Sequence, residues 1–386
     1  MNDFIPLSVP SFQGEEKKYV DEAIITEWVS TAGSFVTRFE KDIAKYNGIR
    51  FAVACVNGTS ALHIALLESG VKKGDEVIVP LVTFIAPINT VKYVGANPVF
   101  IDCDDYLNID VKKIEQFIEK ECEFNGVHVI NKSSKRIIKA IMPVHVFGNP
   151  VDMEYLMELA ERYNLIVIED STESLGSYYL KGKFKNRKTG TIGNYGCYSF
   201  NGNKIITTGG GGMIVTEDKK SAMHMKYLTT QAKDDDIYFI HNEIGFNYRM
   251  TNLQAALGIA QLELLDKFIK IKRNNFKKYK NSLDGYKGLF FVNEPEYAYS
   301  NYWFYSLIVD KDQYGLSRDE LMNKLSESRI HTRPLWYLNH LQKPYKNCQT
   351  YKIEKAYWFH ERILNIPCSV GLKEAEIHRV ISIIKN

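Results

Sequence analysis

One lysine, Lys204, stands between an apolar run that ends in Ser199-Phe200 and a second one, Gly212-Met213-Ile214-Val215-Thr216, which Gly209-Gly210-Gly211 precedes. Ligands meet α/β sheets at strand ends, and glycines let backbone approach a ligand closely. A lysine held there and shielded from water can give up its proton and form an imine with an aldehyde. The same residues also read as a solvated charge on a flexible turn. Asp170 ends the apolar run Leu165-Ile166-Val167-Ile168-Glu169-Asp170, and Glu173 lies three positions further on. A carboxylate at that end of a strand can either meet a ligand or cap the next helix. Asn57-Gly58-Thr59-Ser60 follows a third apolar run. N–H groups and hydroxyls that open a helix make a phosphate cradle or an ordinary cap. No Walker spacing occurs, and no G-x-G-x-x-G follows the first strand, which weighs against a dinucleotide-binding dehydrogenase.

These residues need elements to hold them. Short apolar runs at 51–56, 76–80, 98–102, 137–146 and 165–170 read as strands. They alternate with helical patterns at 15–28, 60–68, 84–94, 111–121 and 153–163. That alternation predicts a mostly parallel, helix-covered sheet. The texture changes near Thr251: one long helix over 252–273 is expected, extending to 282, then a strand at 303–309 and a helix at 318–328. The division expected is a large domain over 1–250 and a small C-terminal domain over 251–386. Residues 181–188 read as an exposed loop.

Composition excludes several classes. A chain of 386 residues is too long for one small core. Its 49 basic and 46 acidic residues leave a net charge of only +3, so neither nucleic acid nor an anionic membrane is implied. The six cysteines show neither metal-ligand spacing nor a disulfide framework, and the nine histidines form no metal motif. With no signal peptide and no run of 18 apolar residues, a reduced cytoplasmic enzyme is expected.

Further motifs join the first three in a fixed order. They are Trp28-Val29-Ser30-Thr31-Ala32-Gly33, Phe39-Glu40, Pro80-Leu81-Val82-Thr83-Phe84, Pro143-Val144-His145-Val146-Phe147-Gly148 and Gly245-Phe246-Asn247-Tyr248-Arg249-Met250-Thr251-Asn252. The whole series resembles the sugar aminotransferases of the DegT/DnrJ/EryC1/StrS family over nearly the full chain. The resemblance implies the fold-type I architecture, a large domain with a mostly parallel sheet and a smaller C-terminal α+β domain. It also implies pyridoxal 5′-phosphate (PLP) as cofactor. Lys204 would carry PLP covalently and, once freed, act as the base that moves the proton. Asp170 would pair with the pyridinium nitrogen. Glu173 would sit near the 3-hydroxyl, and Gly58, Thr59, Ser60 and Ser199 would bind the phosphate. Phe84 falls where the family places a ring over the cofactor, or else it is a core phenylalanine. Asn247 would reach the phosphate from a second subunit, which implies a homodimer with shared sites. His145 matches a family position but is given no catalytic role.

The resemblance further implies L-glutamate as amino donor and a nucleotide-linked keto-sugar as acceptor. The acceptor expected is UDP-4-keto-6-deoxy-N-acetylglucosamine, of the kind used on the way to bacillosamine or legionaminic acid. GDP-4-keto-6-deoxymannose is the alternative, and a PLP-binding regulatory protein without turnover is a further one. Arg333 is the candidate for the nucleotide diphosphate, or else a surface ion pair, and Arg249 and Asn201 are secondary candidates. Two departures stand out: Gly210 replaces an acidic residue common in the family, and Asn252 stands where many members have Asp or Glu. Relatives with histidine in place of the lysine are sugar dehydratases, and Lys204 argues against that branch.

Overall fold

The structure, a computed structural model, describes residues 4–386. Its centre is a ten-stranded sheet. Eight strands run across it in the order Phe51–Cys55, Gly212–Thr216, Tyr195–Ser199, Ile166–Asp170, Ile137–Ile141, Glu76–Pro80, Asn97–Ile101 and Thr350–Tyr351, while Val129–Asn131 pairs with Ile137–Ile141 and with Cys122–Phe124 off this path. Gly212–Thr216 runs antiparallel to both of its neighbours, whereas from Tyr195–Ser199 to Thr350–Tyr351 the pairs are parallel. The last pair joins a C-terminal strand to the large sheet. Strands such as Glu76–Pro80 and Gly212–Thr216 are buried along their whole length, as a sheet covered on both faces requires.

Most expected elements are present, with boundaries that move for physical reasons. The strand expected over 137–146 ends at Ile141, because Pro143 has no N–H to give a ladder. Val144 makes one isolated bridge to Asp170, and the chain then turns through Val146–Gly148. The single helix expected from 252 is two, Asn252–Glu263 and Leu265–Leu283, with Leu264 (φ −103°, ψ −3°) as a turn residue between them. The first packs on Glu16–Ile25 and Ser34–Asn47. The second begins in that same core with Leu265, Phe268 and Ile269. It ends in a separate C-terminal core with Phe276, Tyr279 and Leu283. The change of core therefore falls inside the second helix, between Ile269 and Phe276. The C-terminal core lies on a four-stranded sheet ordered Leu289–Phe291, Tyr305–Val309, Ile363–Ile366, Arg333–Pro334.

Cys55 and Cys103 are fully buried, and the cysteines carry free thiols. No helix among the described residues is long and apolar enough to cross a membrane.

Candidate active site

Four neighbouring strands bring the site together towards one edge of the sheet. Cys55, Gly212 and Ser199 stand side by side in register, and Asp170 lies opposite Cys197 on the next strand. Asn57 leaves the first strand in an extended conformation and caps helix Gly58–Glu68, its Oδ1 accepting the Ser60 N–H at 2.7 Å. Among the described residues, the N–H groups of Gly58 and Thr59 have no acceptor. They are therefore free to bind an anion at the positive end of the helix. Close approach explains two glycines here. A Cβ on Gly58 would lie 2.8 Å from Ser199 Cβ, and one on Gly212 would lie 2.4 Å from the Asn57 carbonyl oxygen.

Beside this helix end opens a cavity of about 350 Å³. Of the residues expected from sequence, Gly58, Thr59, Phe84, Asp170, Glu173, Ser199, Asn201 and Lys204 all line it. Lys204 Nζ sits 3.7 Å from Glu173 Oε1 and 4.1 Å from the centre of the Trp303 ring. Its side chain is only 13% exposed, which removes the reading of a solvated loop charge. Phe84 is 53% exposed, with its ring facing Trp336, so it is no core residue. Asn339 fixes the loop before Phe84 by donating to the carbonyls of Leu81 and Thr83.

Both carboxylates are buried and short of positive charge. Burial raises the Asp170 carboxyl above its ordinary range, against the opposing pull of Thr172, Lys204 and His145. Asp170 Oδ1 accepts the Thr172 N–H at 3.1 Å. Burial pushes Glu173 up to about 7, although Lys204 and the Phe147 N–H favour its ionised form. That N–H donates to Glu173 Oε2 at 2.9 Å from a turn in which Phe147 has φ +54°.

The neighbouring Glu169 shows how a carboxylate looks when it is structural. It accepts from the N–H groups of Gly190, Ile192 and Gly193 and meets His145 Nε2 at 3.0 Å. Burial opposes its charge, but His145 and these N–H groups outweigh it and lower its pKa. His145 Nδ1 accepts the Val151 N–H, so Nε2 carries the proton given to Glu169. Both ring nitrogens are occupied in holding the scaffold.

Ser60 lies buried behind the helix end and outside the cavity lining. Asn247 and Arg249 are also outside it. Asn247 is exposed and bridges to Thr230, and Arg249 donates to Gln231 Oε1 at 3.2 Å. Arg333 is exposed in an adjoining depression that shares Asn203, Phe304 and Trp336 with the main cavity. Among the described residues it has no acidic partner, so it is not the surface ion pair that sequence left open. Sequence reasoning missed Thr172, Trp303, Phe304 and Trp336, which also line the cavity. Their only signal was an aromatic pair opening the strand at 303–309 and a tryptophan three positions after Arg333.

This site fits PLP on its own geometry. Two free N–H groups at a helix end suit a phosphate, and the glycine at 58 keeps that approach open. A lysine points into the same cavity. A buried carboxylate with too little counter-charge suits a protonated ring nitrogen.

The known proteins agree. Residues 10–385 match the DegT/DnrJ/EryC1/StrS aminotransferase family. The chain is 39% identical to a GDP-perosamine synthase of Caulobacter vibrioides, over 98% of this chain and 96% of that one. It is equally 39% identical to a GDP-perosamine synthase of Escherichia coli O157:H7, over 97% and 96%. A solved DegT DnrJ EryC1 StrS aminotransferase from Brucella abortus superposes with a TM-score of 0.86 at 27% identity, covering 96% of this chain and 94% of the other. A lysine and a carboxylate facing one cavity beside a helix end with free N–H groups, within a match that spans the chain, lead to one conclusion: the protein belongs to the DegT/DnrJ/EryC1/StrS family and is a PLP-dependent aminotransferase of the fold-type I class.

Proposed function

We propose that the enzyme moves an amino group from L-glutamate to C4 of a GDP-linked 4-keto-6-deoxy sugar, GDP-4-keto-6-deoxymannose being the acceptor. The UDP-linked acceptor expected from sequence gives way to this alternative, because both relatives named above are GDP-perosamine synthases. The observation that carries the chemistry is Lys204 Nζ, held in the cavity that Asp170, Glu173 and the Gly58–Thr59 helix end also line.

When bound, PLP supplies the electron sink that lets the amino-acid carbon lose its proton. Lys204 Nζ takes that proton from the donor carbon, returns it on the cofactor side, and reverses the transfer for the sugar. Asp170 would keep a proton on the cofactor's ring nitrogen through a charge-assisted hydrogen bond. Glu173, held by the Phe147 N–H, faces Lys204 and would lie near the cofactor's 3-hydroxyl. Gly58, Thr59 and Ser199 would hold the phosphate, with Ser60 behind them. Arg333 and Asn201 are proposed contacts of the nucleotide diphosphate and sugar. Arg249, tied to Gln231 outside the cavity, is the weaker candidate. Asn247 is proposed to reach the phosphate of a second subunit in a homodimer.

The visible absorption of the purified, cofactor-loaded enzyme tests this reading. L-glutamate should bleach the cofactor band, and GDP-4-keto-6-deoxymannose should restore it. Restoration only by UDP-4-keto-6-deoxy-N-acetylglucosamine would return the acceptor to the UDP sugar. A band that glutamate leaves unchanged would sink the proposed donor.

A further inference from the structure

Trp303 lies two residues before strand Tyr305–Val309 of the C-terminal sheet, yet two of its atom groups act on the lysine that follows strand Tyr195–Ser199 of the large sheet. Its ring lies 4.1 Å from Lys204 Nζ, well inside the range of a cation–π contact. Its indole N–H donates at 2.7 Å to the carbonyl of Asn203, the residue just before the lysine. The third contact runs through backbone. The Trp303 N–H donates to the Phe147 carbonyl at 3.1 Å, and the Phe147 N–H donates to Glu173 Oε2. Asn301 tightens the ring of contacts, its Oδ1 accepting the Trp303 N–H and its Nδ2 donating to the Glu173 carbonyl. Lys204, Glu173, Phe147, Trp303 and Asn203 thus form a closed circuit around the amine.

The carboxylate cannot aim the amine alone. At 3.7 Å the Lys204–Glu173 pair is an ion pair and lies beyond a direct hydrogen bond, so it attracts Nζ without fixing its direction. A flexible four-carbon chain needs a second surface to select one rotamer. The ring of Trp303, itself only 3% exposed, is that surface.

We propose that Trp303 is a positioning residue for Lys204, its ring holding the side chain in the conformation that meets an incoming aldehyde and its indole N–H fixing the turn before it. The inference rests on Lys204 being the PLP-carrying residue. Its test keeps the two apart.

Cofactor-free full-length protein is given a short pulse of PLP and then borohydride, and peptide mass mapping reads the label on Lys204. Native protein should be labelled there and Lys204→Ala should not. No label on native Lys204 would overturn the site itself. Trp303→Leu should label Lys204 more slowly by about three- to thirtyfold, with exposed lysines labelled as before. Trp303→Phe keeps the ring face and should recover to within about threefold of native. A native labelling rate in Trp303→Leu would overturn the proposal. So would a loss in Trp303→Phe as large as that in Trp303→Leu. Far-UV circular dichroism and the thermal midpoint establish folding, and Trp303→Met, with bulk and no ring, replaces Trp303→Leu should the latter not fold. Visible circular dichroism of the loaded variants gives a second readout: the band of Trp303→Leu should change and that of Trp303→Phe should stay close to native.

Discussion

Lys204, Asp170 and Glu173 share one wall of the cavity, and their burial decides how each behaves. Asp170→Asn keeps the size of the side chain and removes its charge. A hydrogen bond to a charged group is worth about 1.5–3 kcal/mol, so the bleaching rate with L-glutamate should fall by roughly 10- to 150-fold. An undiminished single-turnover rate would remove Asp170 from the chemistry. Glu173 sets a pH dependence that is readable without cofactor. Burial raises its carboxyl from 4.5 to about 7, so the folded chain holds this proton more tightly than the unfolded one. Its contribution to stability is therefore full below the unfolded value and is lost as pH rises through about 7. Glu173→Gln should flatten that loss, seen as a smaller fall in the thermal midpoint of cofactor-free protein between about pH 5 and pH 8. Asp170 is raised as well and leaves part of the slope in place. An unchanged slope in Glu173→Gln would contradict a Glu173 carboxyl that burial raises to about 7. Lys204 and Asp170 were legible in sequence because strand ends and motif order mark them. Trp303 and Trp336 were not, because their place at the cavity comes from contacts about a hundred residues or more apart in the chain, which no local pattern encodes.

The element that matters most to the site is helix Gly58–Glu68, whose open end faces the cavity. Alanine is ordinarily the better helix residue, by up to about 1 kcal/mol over glycine. Here the added methyl would stand 2.8 Å from Ser199 Cβ and 3.2 Å from Thr172 Cγ2, and overpacking costs about 1–3 kcal/mol. Gly58→Ala should therefore destabilise the protein in urea and weaken PLP binding, and Ser199→Gly in the same chain should recover part of the stability loss. Stabilisation by Gly58→Ala would mean that the helix end and strand Tyr195–Ser199 stand further apart. Alternating apolar runs made the parallel sheet readable, since each buried strand is short and bounded by turn residues. The break at Leu264 was not readable, because helical periodicity continues across it and the residues on both sides pack in the same core. The departure at Asn252 has a local reason: its Oδ1 accepts the Phe35 N–H while its Nδ2 donates to the Trp28 carbonyl, and an aspartate could not make the second bond.

At the scale of the whole molecule, we propose two domains that share helix Leu265–Leu283, and two chains that share each active site. The helix belongs to both cores, so a boundary at 250/251 would assign its first turns, together with Asn252–Glu263, to a domain whose own core they do not reach. The proposed dimer draws on surface as well as resemblance. Ile237, Tyr238, Phe239 and Ile244 are 78%, 78%, 67% and 86% exposed, a concentration of apolar side chains that a lone soluble chain rarely presents. Asn247 lies a few residues beyond them, outside its own chain's cavity. A second copy covering this segment would carry Asn247 towards a neighbouring phosphate site. Two inactive variants can decide the matter. Lys204→Ala lacks the amine, and Asn247→Ala lacks the proposed contact from the other chain. If sites are shared, a mixed dimer holds one site in which both defects coincide and one in which neither occurs. After unfolding and refolding an equal mixture, half the dimers are mixed and half of their sites are intact, so about a quarter of native activity should return. Should Asn247 serve its own chain, the mixed dimer offers no intact Lys204 beside an intact Asn247, and the mixture stays at the mean of the two variants. Light scattering should give the mass of two chains for the native protein, and a single-chain mass with full activity would remove the shared site altogether.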